Sequence, residues 1–95
     1  MQYQLDYTVY REHEGVPGVF EKERGTIGFD DAGTAHEFAE SPAAMLEWFG
    51  AERGEFSMWL DDAELLWQMS YDTTSEVNRI PLSYRMFLES IWEVR

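Results

Sequence analysis

The residues able to do chemistry are few, and their spacing decides against most reactions. His13 and His36 are the two histidines, and each is followed by a glutamate that points to a different side of a strand or helix. His36 and Glu40 do stand at i, i+4, a spacing that can hold a cation weakly on a helix. The simpler reading of that pair is a solvated helix face. Ser41, Ser57, Ser70, Ser75, Ser83 and Ser90 include no G-x-S-x-G elbow. Gly15, Gly18, Gly25 and Gly28 form neither a G-x-G-x-x-G turn nor a P-loop. The adjacent carboxylates Asp30-Asp31 and Asp61-Asp62 fit no EF-hand loop, which needs acids at alternate positions and a closing glutamate. Paired carboxylates serve acid–base chemistry when one is buried. Here both pairs fall where turns or helix caps are expected, and turns select aspartate without catalysis. With no cysteine, there is no thiolate nucleophile, disulfide framework or thiolate metal site.

Charge is the stronger signal. The chain has 19 acids, 7 bases and a formal net charge of −12. Residues 25–78 carry twelve of the acids against one base, Arg53. Such a surface repels nucleic acid and anionic membranes, which carry the same sign. It suits a basic protein or nucleoprotein complex, or it serves solubility alone. Lys22 is the only lysine beside six arginines, a bias that GC-rich genomes produce. A salt-loving proteome would make a chain acidic and lysine-poor with no partner involved.

The elements that must position these residues can be read from periodicity. Tyr84, Phe87, Leu88, Ile91 and Trp92 fall at i, i+3, i+4, i+7 and i+8, one apolar stripe of a helix over Pro81–Val94. Pro81 fits its first turn and Arg95 its C-terminal dipole. So aromatic a stripe needs a broad cover, and a small sheet supplies one. Tyr3, Leu5, Tyr7 and Val9 alternate with Gln4, Asp6, Thr8 and Tyr10, the signature of a strand with one buried face. Residues 13–18 make a turn. Val19–Phe29 returns as a charged edge strand that is solvated on both faces or bulges near Gly25 or Gly28. Asp30-Asp31 caps a helix over Ala32–Glu40. Ser41 at N-cap and Pro42 at N1 start a second helix that runs to about Ala51. That helix buries Met45, Trp48 and Phe49, sets Glu47 on the opposite side, and ends at Gly50 or Gly54. Phe56–Tyr71 reads as a hairpin in which Phe56, Met58 and Leu60 alternate, as do Leu65, Trp67, Met69 and Tyr71. Its turn is Asp61-Asp62-Ala63-Glu64. The rival reading makes Asp61 and Glu64 the capping box of a short helix. Asp72–Arg79 is a polar loop.

The expected fold is therefore a single α+β domain over residues 1–95, in the order β-β-α-α-β-β-α. An antiparallel sheet of about four strands carries the helices on one face. The N-terminus alternates and lacks a signal peptide's apolar core. No apolar run reaches the roughly 20 residues of a membrane span. A cytoplasmic location is expected.

The functional expectation is a non-enzymatic binding domain with no cofactor and no metal. Its partner-binding acids are Asp30, Asp31, Glu37, Glu40, Glu47, Glu52, Glu55, Asp61, Asp62 and Glu64. Trp48, Trp59 and Trp67 lie near them in sequence, and an exposed tryptophan rimmed by acids would be a binding hot spot. Carboxylates arranged in this way can stand where phosphates sit in a basic cleft. In size, charge and lack of cysteine the chain resembles, in general terms, phage-encoded inhibitors of restriction or CRISPR complexes, with no motif matching any one family. An immunity protein against a cationic toxin needs the same acidic surface. An enzyme with an unrecognised site and an acidic housekeeping domain are the other readings. A homodimer through the aromatic surface is compatible with all of them.

Overall fold

The structure, a computed structural model, describes the backbone of residues 2–93 and the side chains of residues 2–90. Its elements are β1 (Tyr3–Glu12), β2 (Phe20–Phe29), α1 (Ala32–Phe38), α2 (Pro42–Phe49), β3 (Arg53–Leu60), β4 (Glu64–Asp72) and α3 (Leu82–Glu93). This is the expected α+β order. The four strands form one sheet in the order β2-β1-β3-β4, and every neighbouring pair is antiparallel. The chain leaves edge strand β2, crosses one face through α1 and α2, and re-enters the sheet beside β1.

Strand alternation sets the core. Leu5 and Val9 are buried in β1, Phe56 and Met58 in β3, and Trp67 and Met69 in β4. Register places Ile27, Leu5, Met58 and Trp67 in one row across the sheet, and Gly25, Tyr7, Phe56 and Met69 in the next. Ala35, Ala39, Met45, Leu46, Phe49 and Tyr84 close over these rows from the helices. Small alanines on α1 let that short helix lie close. At Gly54 a Cβ would stand 3.0 Å from Leu46 Cδ2 and 3.1 Å from the Thr8 carbonyl, so α2 can approach β3 only over glycine.

Local signals place the helix ends. The Asp31 carboxylate accepts from Thr34 N at 2.9 Å, and the Ser41 hydroxyl accepts from Ala44 N at 3.0 Å, so both act as N-caps. Gly50 ends α2 in the left-handed conformation at φ 65°; Gly54 lies inside β3. Arg11 Nε donates to the Phe49 carbonyl at 2.8 Å, a cation on the C-terminal end of α2. Pro81 stands one residue ahead of its expected place. Its carbonyl accepts from Tyr84 N at 3.1 Å, which makes it the residue before α3. In that helix Tyr84 is 2% exposed, and Phe87 and Leu88 pack on the core. The side chains of Ile91 and Trp92, and Arg95, lie outside the described residues.

Three expectations need correction. Trp48 is not in the core: it is 67% exposed, while Leu46 is fully buried. The stripe that packs is Pro42, Met45, Leu46 and Phe49, at i, i+3, i+4 and i+7, and Trp48 falls outside it with Glu47. Next, Leu65 does not share a face with Trp67, Met69 and Tyr71; β2, by contrast, follows the solvated alternative, exposed along residues 20–24 and paired with β1 without interruption from Phe20 to Phe29. The bulge is in β4, where Met58 pairs with Trp67 but Trp59 pairs with Leu65. The extra residue, Leu66, joins the core side while Leu65 is 43% exposed. Finally, His36 does not lie on a solvated helix face. It is half-buried between α1 and α3, and its Nε2 is 2.8 Å from the Leu88 carbonyl.

Candidate functional site

Nine of the ten acids singled out from the sequence are exposed, and Glu52 is half-buried. The fold divides them. β2 and β3 end together, because Phe29, Tyr3 and Leu60 share a row. Asp30, Asp31, Asp61, Asp62 and Glu64 therefore converge at one end of the sheet. Glu37, Glu40 and Glu47 continue from that end over α1 and α2. Glu52 lies at the opposite end, where its carbonyl accepts from Thr73 N at 2.9 Å. Glu55 points from the helix-free face, in a row with Arg24, Thr8 and Ser70. Eight of the ten thus lie at this end of the sheet or on the helical layer, and Glu52 and Glu55 are separated from them.

Two of the eight already hold the fold together. Asp31 caps α1. Asp61 Oδ1 accepts from Gln2 N at 2.8 Å, and Asp61 N donates to the Gln2 carbonyl at 2.8 Å, tying the hairpin tip to β1. The tip itself is a tight turn. Asp61 and Asp62 have φ 52° and 60°, and Ala63 N donates to the Leu60 carbonyl at 3.1 Å. Left-handed conformation at both central positions is the turn that matches strand twist, and aspartate tolerates it. The capping-box alternative is thereby replaced by a hairpin. Asp30, Asp62, Glu64, Glu37, Glu40 and Glu47 have no such duty among the described contacts.

Aromatic side chains give the acidic surface a rigid feature. Trp48 stands edge-on to Phe38 (centroids 5.2 Å apart, 75° between planes) and to Phe49 (4.9 Å, 85°). Phe38 is in turn braced by Phe29 at 5.5 Å. The indole is thus packed against two rings while remaining 67% exposed. Trp67, by contrast, is 1% exposed, and Trp59 is half-buried on the other face. Two apolar arcs compete on α2, and position 48 falls outside the 42/45/46/49 one that packs.

Among the described residues, no group of three or more His, Asp or Glu side chains is placed to hold a metal ion. Elsewhere the shifted groups have structural causes. Glu23 is held below the ordinary carboxylate range, first by its hydrogen bond from Arg11. Asp72 is lowered by the hydroxyl and the backbone N–H of Thr74. Burial pushes Tyr84 well up, and Glu40 nearby adds to the effect. Among the described residues no helix is long and apolar enough to cross a membrane. No protein family, no curated protein and no solved structure matches the chain.

Proposed function

We propose that this chain is a non-enzymatic, cytoplasmic binding domain that inhibits a nucleic-acid-binding partner by occupying its basic surface. Carboxylates at the Asp30/Asp62/Glu64 end and along Glu37, Glu40 and Glu47 take the places of phosphates. A partner's Lys and Arg groups are already arranged for such anions, and opposite net charge speeds encounter. The observation that carries the reading is Trp48, 67% exposed on this acidic layer and braced by Phe38 and Phe49. Charge alone gives solubility. A rigid exposed indole flanked by acid is what an interface anchor requires.

The test is capture from host lysate at low salt and at about 0.5 M salt, where the Debye length is roughly 4 Å. The expected partner is a nucleic-acid-binding protein, released by added DNA and weakened by salt. Trp48→Ala should weaken capture by about 30-fold, near the 2 kcal/mol of a hot spot. The same change should alter stability by less than about 1 kcal/mol, because the side chain is mostly exposed. Replacing Asp61, Asp62 and Glu64 together by alanine tests the hairpin tip. A partner that survives both variants, or that ignores DNA, refutes phosphate mimicry at this surface.

A further inference from the structure

The face of the sheet that carries no helices has a charge balance unlike the rest of the chain. Over the rows that all four strands share, its charged residues are Lys22, Arg24 and Arg53 against Asp6, Glu55 and Asp72. These six sum to zero, so the remainder of the chain carries the whole net charge of −12. Repulsion between two copies is thus least where these faces meet. Among the described residues the ion pairs are Arg11–Glu23 and His13–Glu21, and neither uses any of the six. Asp72 does feel Arg53, its cross-strand neighbour.

Register makes this face complementary to itself. Consider a two-fold dimer whose axis runs along the strands, between β1 and β3. Each row then meets its own reverse, with β2 over the partner's β4 and β1 over the partner's β3. The row of Lys22, Tyr10, Arg53 and Asp72 sets Lys22 opposite the partner's Asp72, and Tyr10 opposite the partner's Arg53. In the next two rows Arg24 meets the partner's Ser70, Glu55 its Thr8, and Asp6 its Ser57. No charge faces its like. The last row, Gly28, Gln4, Trp59 and Leu65, fits by shape. Leu65 is 43% exposed and comes to stand over the partner's Gly28. There a Cβ would have only Gln2 Nε2 within 4 Å, at 3.6 Å, so the place is open. A two-fold axis across the strands pairs no acid with a base and sets Asp72 against the partner's Leu65. Between the end rows the side chains are short, and a hollow of about 740 Å³ lies over them, room for the bridging water that polar interfaces hold.

Size sets the strength. Four strands about 4.8 Å apart, over about seven residues at 3.3 Å each, make a face of roughly 19 by 23 Å. Two copies cover about 900 Å² by flat projection, close to the roughly 1,000 Å² at which specific interfaces begin. Such a dimer is weak and reversible.

We propose that the helix-free face is a self-association surface, on which a second copy of this chain packs sheet to sheet about the axis along the strands. The proposal rests on strand register and charge, not on the partner proposed above, and it leaves the acidic helical layer open. The experiment is sedimentation equilibrium of the intact chain at physiological ionic strength. A face of this size implies a dissociation constant of order 100 µM, so the chain should pass from monomer to dimer between about 10 µM and 1 mM. Gly28→Gln fills the place of the partner's Leu65 and should weaken the dimer by about tenfold, without lowering the thermal midpoint, because the position is open in the monomer. Lys22→Asp and Asp72→Lys each set like charges opposite one another and should weaken it by a similar factor, roughly tenfold. An equimolar mixture of those two variants restores both pairs and should dimerise as the parent does. Gly28→Gln and Lys22→Asp suffice if Asp72→Lys folds poorly, since both positions are exposed. A chain that stays monomeric at 1 mM, a dimer unchanged by Gly28→Gln and Lys22→Asp, or folded charge variants that fail to rescue one another overturn the proposal.

Discussion

Tyr84→Phe isolates one hydroxyl in the core. The Tyr84 ring stands edge-on to Trp67, with centroids 4.8 Å apart and planes at 81°, and phenylalanine keeps that contact. What disappears is the O–H that donates to the Ala39 carbonyl. Ala39 is the C-cap of α1, and carbonyls in the last turn of a helix have no intrahelical partner. The deletion therefore strands a buried acceptor, at a cost of about 1–3 kcal/mol. For 95 residues, total stability at 0.05–0.15 kcal/mol per residue is about 5–14 kcal/mol, so the loss is readable. Urea unfolding followed by tryptophan fluorescence should show a midpoint lower by about 1 M with an unchanged slope. The pH dependence supplies an independent check. Burial raises the Tyr84 pKa in the folded state, while an unfolded tyrosine titrates near 10. Above that pH the unfolded chain releases a proton that the folded chain keeps. The contribution is thus fully present below about pH 10 and declines as pH rises, by at most about 1.4 kcal/mol per pH unit. The phenylalanine variant lacks this decline, so the gap between the two proteins should narrow from pH 9 to pH 11. An unchanged midpoint at neutral pH, or a gap that widens with pH, refutes the reasoning.

At Gly25, a Cβ would stand 2.6 Å from Tyr7 Cζ, so Gly25→Ala should displace the Tyr7 ring from Phe49 and cost about 1–3 kcal/mol in thermal or urea unfolding. Asp62→Gly should stabilise the hairpin by about 0.5 kcal/mol, because Asp-Gly suits a turn with both central residues left-handed and Asp62 has φ 60°; a loss of stability would contradict the turn assignment. Asn78→Ala removes two 2.9 Å bonds to the N–H and carbonyl of Asp72. It should cost about 1–2 kcal/mol and raise self-association in sedimentation velocity at high concentration, by exposing the β4 edge.

How much of this could be read in the sequence differs from element to element. The alternation of β1, the caps at Asp31 and Ser41, the stop at Gly50 and the Tyr84, Phe87 and Leu88 part of the last stripe are local signals, set by neighbours within one or two turns, and the fold obeys each. Trp48 and Leu65 were misplaced because two patterns overlapped. On α2 either 45/48/49 or 45/46/49 makes an apolar arc, and only the approach of Leu46 to Gly54 on β3 decides between them. In β4 the period of two breaks at a bulge whose cause is pairing with β3. His36 was misread for a related reason: its partner, the Leu88 carbonyl, is 52 residues away. The acidic residues were legible as a composition and not as a surface. Continuous sequence suggested one patch from 30 to 64, but alternation sends Glu55 to the opposite face and the α2–β3 connection carries Glu52 to the far end. The row of Lys22, Tyr10 and Arg53 was hidden by the same effect, since these residues come side by side only after the strands pair.

The sheet edges limit how any partner can bind. Edge strands invite another strand to add, and both edges here are blunted. β2 carries Glu21, Lys22, Glu23 and Arg24 in succession, all exposed, so a strand pairing there would place its side chains against alternating charge. β4 has its ladder broken near one end by the bulge at Leu66. At the other end Asn78 supplies a donor and an acceptor to Asp72, as a neighbouring strand would. With strand addition opposed on both sides, recognition falls to side chains. The surface with unspent side-chain capacity is the acidic layer around Trp48, which is 67% exposed.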